Sequence, residues 1–127
     1  MTRAQAFKNF LNYFSKENLP ITLSDDSIVY FSSQNRPLDS DSIRRFLMAD
    51  MDQDEEDMTE YIACNIIPDT KDYHAVVYWK GSLLTYEFIL SSYTKSGVLI
   101  DKKVIAGLRS DGENVQRSVA TLSLIHI

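Results

Sequence analysis

Two periodicities divide the chain. Over residues 3–16, Phe7, Phe10, Leu11 and Phe14 fall at i, i+3, i+4 and i+7, which puts four large apolar groups on one helical face. Thr2 is a suitable cap, and Pro20 stops the helix from running on. Leaving so many Phe rings in water is costly, so this face is expected to cover one side of a sheet rather than wait for a partner. Residues 19–23 read as a short extended piece. Ile28-Val29-Tyr30-Phe31 has strand-like residue types, but Ser24 as a cap with Ile28 and Phe31 turned inward favours a short helix. Asn35-Arg36-Pro37 ends it. Ser40 is a candidate cap for a further helix over residues 41–48, with Ile43, Phe46 and Leu47 inward and Arg44 and Arg45 outward.

From Met58 the period changes from about 3.6 to 2. Ile62, Cys64 and Ile66 alternate with Tyr61, Ala63 and Asn65, which puts the Cys64 thiol on the face of the two isoleucines. Residues 68–72 form a turn cluster. Residues 73–80, rich in Val, Tyr and Trp, read as a strand. Residues 83–94 read as a longer one, with Leu84, Tyr86, Phe88 and Leu90 on one face and Thr85, Glu87, Ile89 and Ser91 on the other. Lys95-Ser96-Gly97 turns the chain, residues 98–106 make another strand, and residues 115–121 begin the next. Linkers this short join antiparallel neighbours, because a parallel crossover needs a dozen or more residues. The patterns therefore predict an α+β fold. N-terminal helices within residues 3–48 pack on an antiparallel β-meander of about five strands over residues 58–121, in a single domain of residues 1–121.

Composition narrows the function classes. The chain has 127 residues, 44% hydrophobic and 24% charged, as in an ordinary globular protein. Its net charge of −5 is mostly local. Residues 50–60 hold seven acids and no base, which leaves 11 acids against 13 bases elsewhere. No basic face stands out for nucleic acid, and no apolar run is long enough to span a membrane. The N-terminus lacks an apolar signal core, and Cys64 is the only cysteine, which fits a reducing cytoplasm.

A set of short segments carries a resemblance. It runs through Phe10-Leu11, Leu19-Pro20-Ile21-Thr22-Leu23 and Pro37-Leu38. It continues through Ile67-Pro68-Asp69-Thr70, His74-Ala75-Val76-Val77-Tyr78-Trp79 and Leu83-Leu84-Thr85-Tyr86-Glu87. Gly97-Val98-Leu99-Ile100-Asp101, Val104-Ile105-Ala106-Gly107 and Arg117-Ser118-Val119-Ala120-Thr121 complete it. In these the chain resembles a family of small uncharacterised bacterial proteins. The resemblance implies a fold but no transferable activity. It also implies an acidic, Trp-containing strand after Ala120-Thr121. Here Leu122-Ser123-Leu124-Ile125-His126-Ile127 stands instead. That hexapeptide resembles the translation of CTG TCT CTT ATA CAC ATC, a transposase adapter end from sequencing libraries. The expectation is a truncated metagenomic fragment, with an artefactual tail at residues 122–127 and its last strand or strands missing. An uninterrupted clone of the gene tests it: the same six codons before a stop would defeat it.

The candidate chemistry is sparse. Asp50, Asp52 and Asp54 match positions 1, 3 and 5 of an EF-hand loop, but Glu55 and Tyr61 stand where Gly and a bidentate Glu are needed. Residues 50–57 are better read as a solvated acidic linker. Cys64 and His74 lie on adjacent strands and are a conceivable nucleophile and base, but an inward Cys64 is an inert thiol. His74 with Asp69 and Asp72 is a thin metal-ligand set. No P-loop, GxGxxG, GxSxG or HExxH occurs. The aromatics Tyr73, Tyr78, Trp79, Tyr86, Phe88 and Tyr93 stand out in the meander. Such rings usually build cross-strand pairs and core, yet Tyr and Trp also line binding surfaces. The expectation is a non-enzymatic cytoplasmic interaction module with a protein partner. Its binding residues are Tyr73, His74, Tyr78, Trp79 and Tyr86, with no catalytic residue, metal or cofactor. The alternatives are a hydrolase-like enzyme completed by a missing C-terminus, or a small immunity-type protein.

Overall fold

The period-2 half of the chain folds as an open five-stranded antiparallel sheet in the order β2-β3-β4-β5-β6. The strands are β2 (Glu60–Ile66), β3 (Tyr73–Gly81), β4 (Thr85–Thr94), β5 (Leu99–Ser110) and β6 (Val115–Ser118). The computed structural model describes residues 2–16, 21–23, 25–48, 59–67, 70–82, 85–110, 115–118 and 120–122. The acidic run at residues 50–57, the proposed Ser24 cap, Asp69 and residues 123–127 lie outside them. The α+β meander predicted from the sequence is the fold observed.

Helix α1 (Arg3–Leu11) begins as expected. Thr2 caps it in a reciprocal capping box, the Thr2 side chain accepting from the Gln5 N–H and the Gln5 side chain accepting from the Thr2 N–H. It ends at Leu11 rather than at residue 16, because the main chain of Ser15 is taken by the sheet. The Ser15 N–H donates to the Cys64 carbonyl, and the Ser15 carbonyl accepts from the Ile66 N–H, both at 2.9 Å. Phe14 still reaches the core from the turn that follows the helix. Strand β1 (Ile21–Leu23) and helix α2 (Asp25–Gln34) follow, so the ambiguous residues 28–31 are helical. A short helix α3 (Ser40–Ser42) runs into a π-helical turn, Ile43–Leu47. The residue at its N-cap is Asp39, not Ser40. Phe46 and Leu47 are buried and Arg44 and Arg45 are exposed, as their spacing required.

The sheet has a core on each face. On one, α1 and the π-turn bring Phe7, Phe10, Phe14, Phe46 and Leu47 against Val76, Tyr78, Ile89 and Tyr93. Each fully buried ring or aliphatic side chain there contributes on the order of 2 kcal/mol. On the other, Leu23 of β1 and Phe31 of α2 cover Cys64, Ala75, Val77, Phe88 and Ala106. The partner of this second face was not legible in the sequence.

The strands depart from the expected meander in two places. A bulge between Ala63 and Asn65 shifts the β2–β3 register. Cys64 therefore shares a core with Ile62, while Ile66 packs in the opposite one. The expected common face of Ile62, Cys64 and Ile66 is thus broken at Ile66. The chain after residue 115 makes two strands rather than one. β6 pairs with β5, and β7 (Ala120–Leu122) pairs antiparallel with β1 in a separate two-stranded sheet.

Candidate functional site

Strand alternation sorts the five expected binding residues onto opposite faces. His74 and Tyr78 point to the α1 side. Tyr78 is buried in that core, and the His74 ring meets the edge of Phe7 at 5.6 Å between centroids. Burial, reinforced by the charge of Lys95, lowers the His74 pKa from its ordinary 6.5. Tyr73, Trp79 and Tyr86 lie on the α2 side, half-buried. Trp79 and Tyr86 pair, with centroids 5.8 Å apart, at one end of the face. Tyr73 stands at the other end of β3, about 20 Å along the strand at ordinary strand rise. The indole of Trp79 lies over Gly81, where any Cβ would overlap it. The Trp79 Nε1 is buried without a hydrogen-bond partner among the described residues.

The Cys64–His74 pair is not assembled. The Cys64 side chain is fully buried in the α2-side core, away from the face on which His74 stands. Burial pushes its thiol pKa strongly up, which leaves a protonated, inert sulfur. No group of three or more His, Cys, Asp or Glu gathers as a metal site among the described residues. None of their helices is long and apolar enough to cross a membrane.

The face carries a concavity that the aromatic positions alone did not indicate. A groove of about 560 Å³ opens at the Tyr73 end of the α2-side face. It is lined by Tyr73, Ala75, Leu90, Ser92 and Ile100 together with the charged residues Asp72, Asp101, Lys102 and Lys103. Among the described residues, α2 and β1 pack on β2 and the middle of the sheet and leave this corner open. Leu90 and Ser92 of β4 stand across from Lys103 and Asp101 of β5. A bulge between Ser92 and Tyr93 leaves Ile100 as the extra residue in β5 and turns it toward the groove. Alternation along β4 and β5 was the available signal for Leu90, Ser92, Asp101 and Lys103. The bulge that brings in Ile100 had none.

A second, polar cleft of about 300 Å³ lies between α1 and the α2–α3 connection. Its charges are already engaged. Arg36 stacks on the Tyr13 ring at 4.4 Å, and Asp41 pairs with Arg45 at 3.1 Å. The Ser42 side chain beside Asp39 holds that carboxyl below its ordinary value, against the desolvation of the site.

No protein-family model, curated protein or solved structure matches this chain.

Proposed function

We propose that the protein is a non-enzymatic binding module of the cytoplasm and that the groove on the α2 side of the sheet is its site. The groove itself carries the reading. It is a concavity of about 560 Å³ with a largely apolar lining and a few charged groups, the usual make-up of a binding pocket. Tyr73 supplies a flat aromatic wall and Leu90 an aliphatic floor. Asp72, Asp101 and Lys103 orient whatever enters. Trp79 and Tyr86 extend the same face and form its far contact. His74 and Tyr78 drop out of the site, because they serve the opposite core.

The probe for this reading is the amphipathic dye 1-anilinonaphthalene-8-sulfonate, whose fluorescence rises in apolar clefts. The folded protein is expected to bind it saturably. Ser92→Trp, which fills the groove from a half-exposed strand position, and Leu90→Lys, which charges its floor, each weaken binding at least about tenfold. Thermal unfolding of both variants separates loss of the site from loss of the fold. Unchanged titrations in two folded variants would remove the groove as the site.

A further inference from the structure

The engagements in the polar cleft leave two of its charges without a counter-ion. Arg36, Asp39 and Asp41 are the charged residues that line it. Asp41 is neutralised by Arg45. Among the described residues, neither Arg36 nor Asp39 has an ion pair, and none joins them to each other. The Tyr13 ring takes the flat face of the Arg36 guanidinium and leaves its N–H edge, for which no described residue supplies an acceptor. The side-chain amide of Asn12, at the end of α1, also has no hydrogen bond among the described residues. The eight lining residues all fall within residues 2–16 and 25–48, so each wall belongs to a described element.

Both charges are held in place. The Asn35 amide is anchored on the Ala63 and Cys64 carbonyls, and Pro37 restricts the backbone of the residue before it, so Arg36 is fixed from either side. Leu38 is buried, which sets the direction of Asp39 next to it. The hydroxyls of Ser42 and Tyr13 beside Asp39 favour its charged form. Tyr13 therefore serves both charges, with its ring under Arg36 and its hydroxyl beside Asp39. A guanidinium and a carboxylate that do not meet flank a single ring.

We propose that this cleft binds the zwitterionic head of a small polar α-amino acid, its carboxylate on the Arg36 N–H edge and its ammonium on Asp39. This goes beyond the groove reading and does not depend on it. The charges around the cleft balance, Arg36 against Asp39 and Arg45 against Asp41. A simple anion drawn to Arg36 meets repulsion from Asp39, and a simple cation meets the reverse. A molecule that carries both charges on neighbouring atoms satisfies the two together. The planar edge of a guanidinium matches a carboxylate through two parallel N–H···O bonds, which favours that anion as its partner. The Asn12 amide offers donors and an acceptor to a polar side chain. A volume of about 300 Å³ is at the small end of ligand pockets, and a mostly polar lining suits a short polar side chain better than an aromatic one. Exposed charges are screened by solvent, so the affinity is low.

Amide chemical-shift titration of the full chain by NMR at low salt, with L-serine and with L-asparagine, tests the proposal. A saturable response at Asn12, Arg36 and Asp39 is expected, with a Kd of about 1–10 mM for the better of the two. N-acetyl-L-serine lacks the ammonium and L-serine methyl ester lacks the carboxylate; each is expected to bind at least about tenfold more weakly than L-serine. Arg36→Met and Asp39→Asn, both at exposed positions, are each expected to weaken amino-acid binding by the same factor, with the rest of the spectrum unchanged as the sign of an intact fold. The absence of a saturable shift with either amino acid up to about 100 mM overturns the proposal. So does a response that either variant leaves unchanged, because the ligand then sits elsewhere. Equal binding by the ester or the acetyl compound overturns it too, because one charge then suffices. Binding of the dye in the groove is expected to be the same in both variants, which keeps the fates of the two sites apart.

Discussion

The Tyr93 hydroxyl donates a 2.7 Å hydrogen bond to the Phe46 carbonyl, joining the sheet to the π-turn across 47 residues of sequence. Carbonyls in the last turn of a helix lack an intrahelical partner, and this one is buried, while the Phe46 ring packs against Phe7 and Phe10. The Met48 N–H reaches back to Ile43 instead, as a π-turn requires. Tyr93→Phe keeps the ring and orphans the carbonyl. We expect a loss of about 1–3 kcal/mol, read as a lower urea midpoint at unchanged slope. An unchanged midpoint would mean that water replaces the hydroxyl.

Gly97 closes the β4–β5 turn at φ 92°, in the left-handed region. An added Cβ would also stand 2.8 Å from Cγ of Phe7. The turn is held from α1 as well, because Arg3 Nη2 donates to the Gly97 carbonyl at 3.1 Å. Gly97→Ala therefore combines left-handed strain of about 1–2 kcal/mol with a displaced core ring. The expected result is a melting temperature lower by at least about 4 °C. A melting temperature within a degree of the parent would show that α1 shifts without cost.

The lowered pKa of His74 fixes the sign of a pH effect. The folded state binds the proton more weakly than the unfolded state, whose value is the ordinary 6.5. The contribution is neutral above that value and turns destabilising as pH falls through 6.5 toward the folded pKa. Stability measured by urea unfolding should therefore fall between pH 7.5 and 5.5 more in the parent than in His74→Gln. Equal slopes in the two proteins would leave His74 without a part in it.

Much of this architecture is readable from residue order, because local periods report which side chains share a face. The Thr2 cap, the inward Phe7 and Phe10, and the turn at residues 95–97 need only neighbours in sequence. The strand alternation Tyr86, Phe88, Leu90 likewise survives intact. What escaped the sequence depends on distant partners. α1 stops early because Ser15 bonds Cys64, 49 residues along the chain. A single extra residue at Cys64 inverts the side on which Ile66 falls. β7 leaves the meander for β1, about a hundred residues earlier in the chain. The candidate site failed as a set for a simpler reason. Tyr73, Trp79 and Tyr86 share one face, while His74 and Tyr78 have the other parity on β3, so residue type grouped what alternation separates. The groove was hidden because it is made jointly by three strands and a bulge.

Over residues 63–66 the free edge of β2 is stoppered. Ser15 supplies main-chain bonds to Cys64 and Ile66, and the Asn35 side-chain amide donates to the Ala63 and Cys64 carbonyls at 2.7 and 3.0 Å. The Asn35 carbonyl oxygen is itself held by the Ser15 hydroxyl at 2.7 Å. An incoming strand would therefore have to displace Ser15 and Asn35 together before it could pair with this stretch of β2.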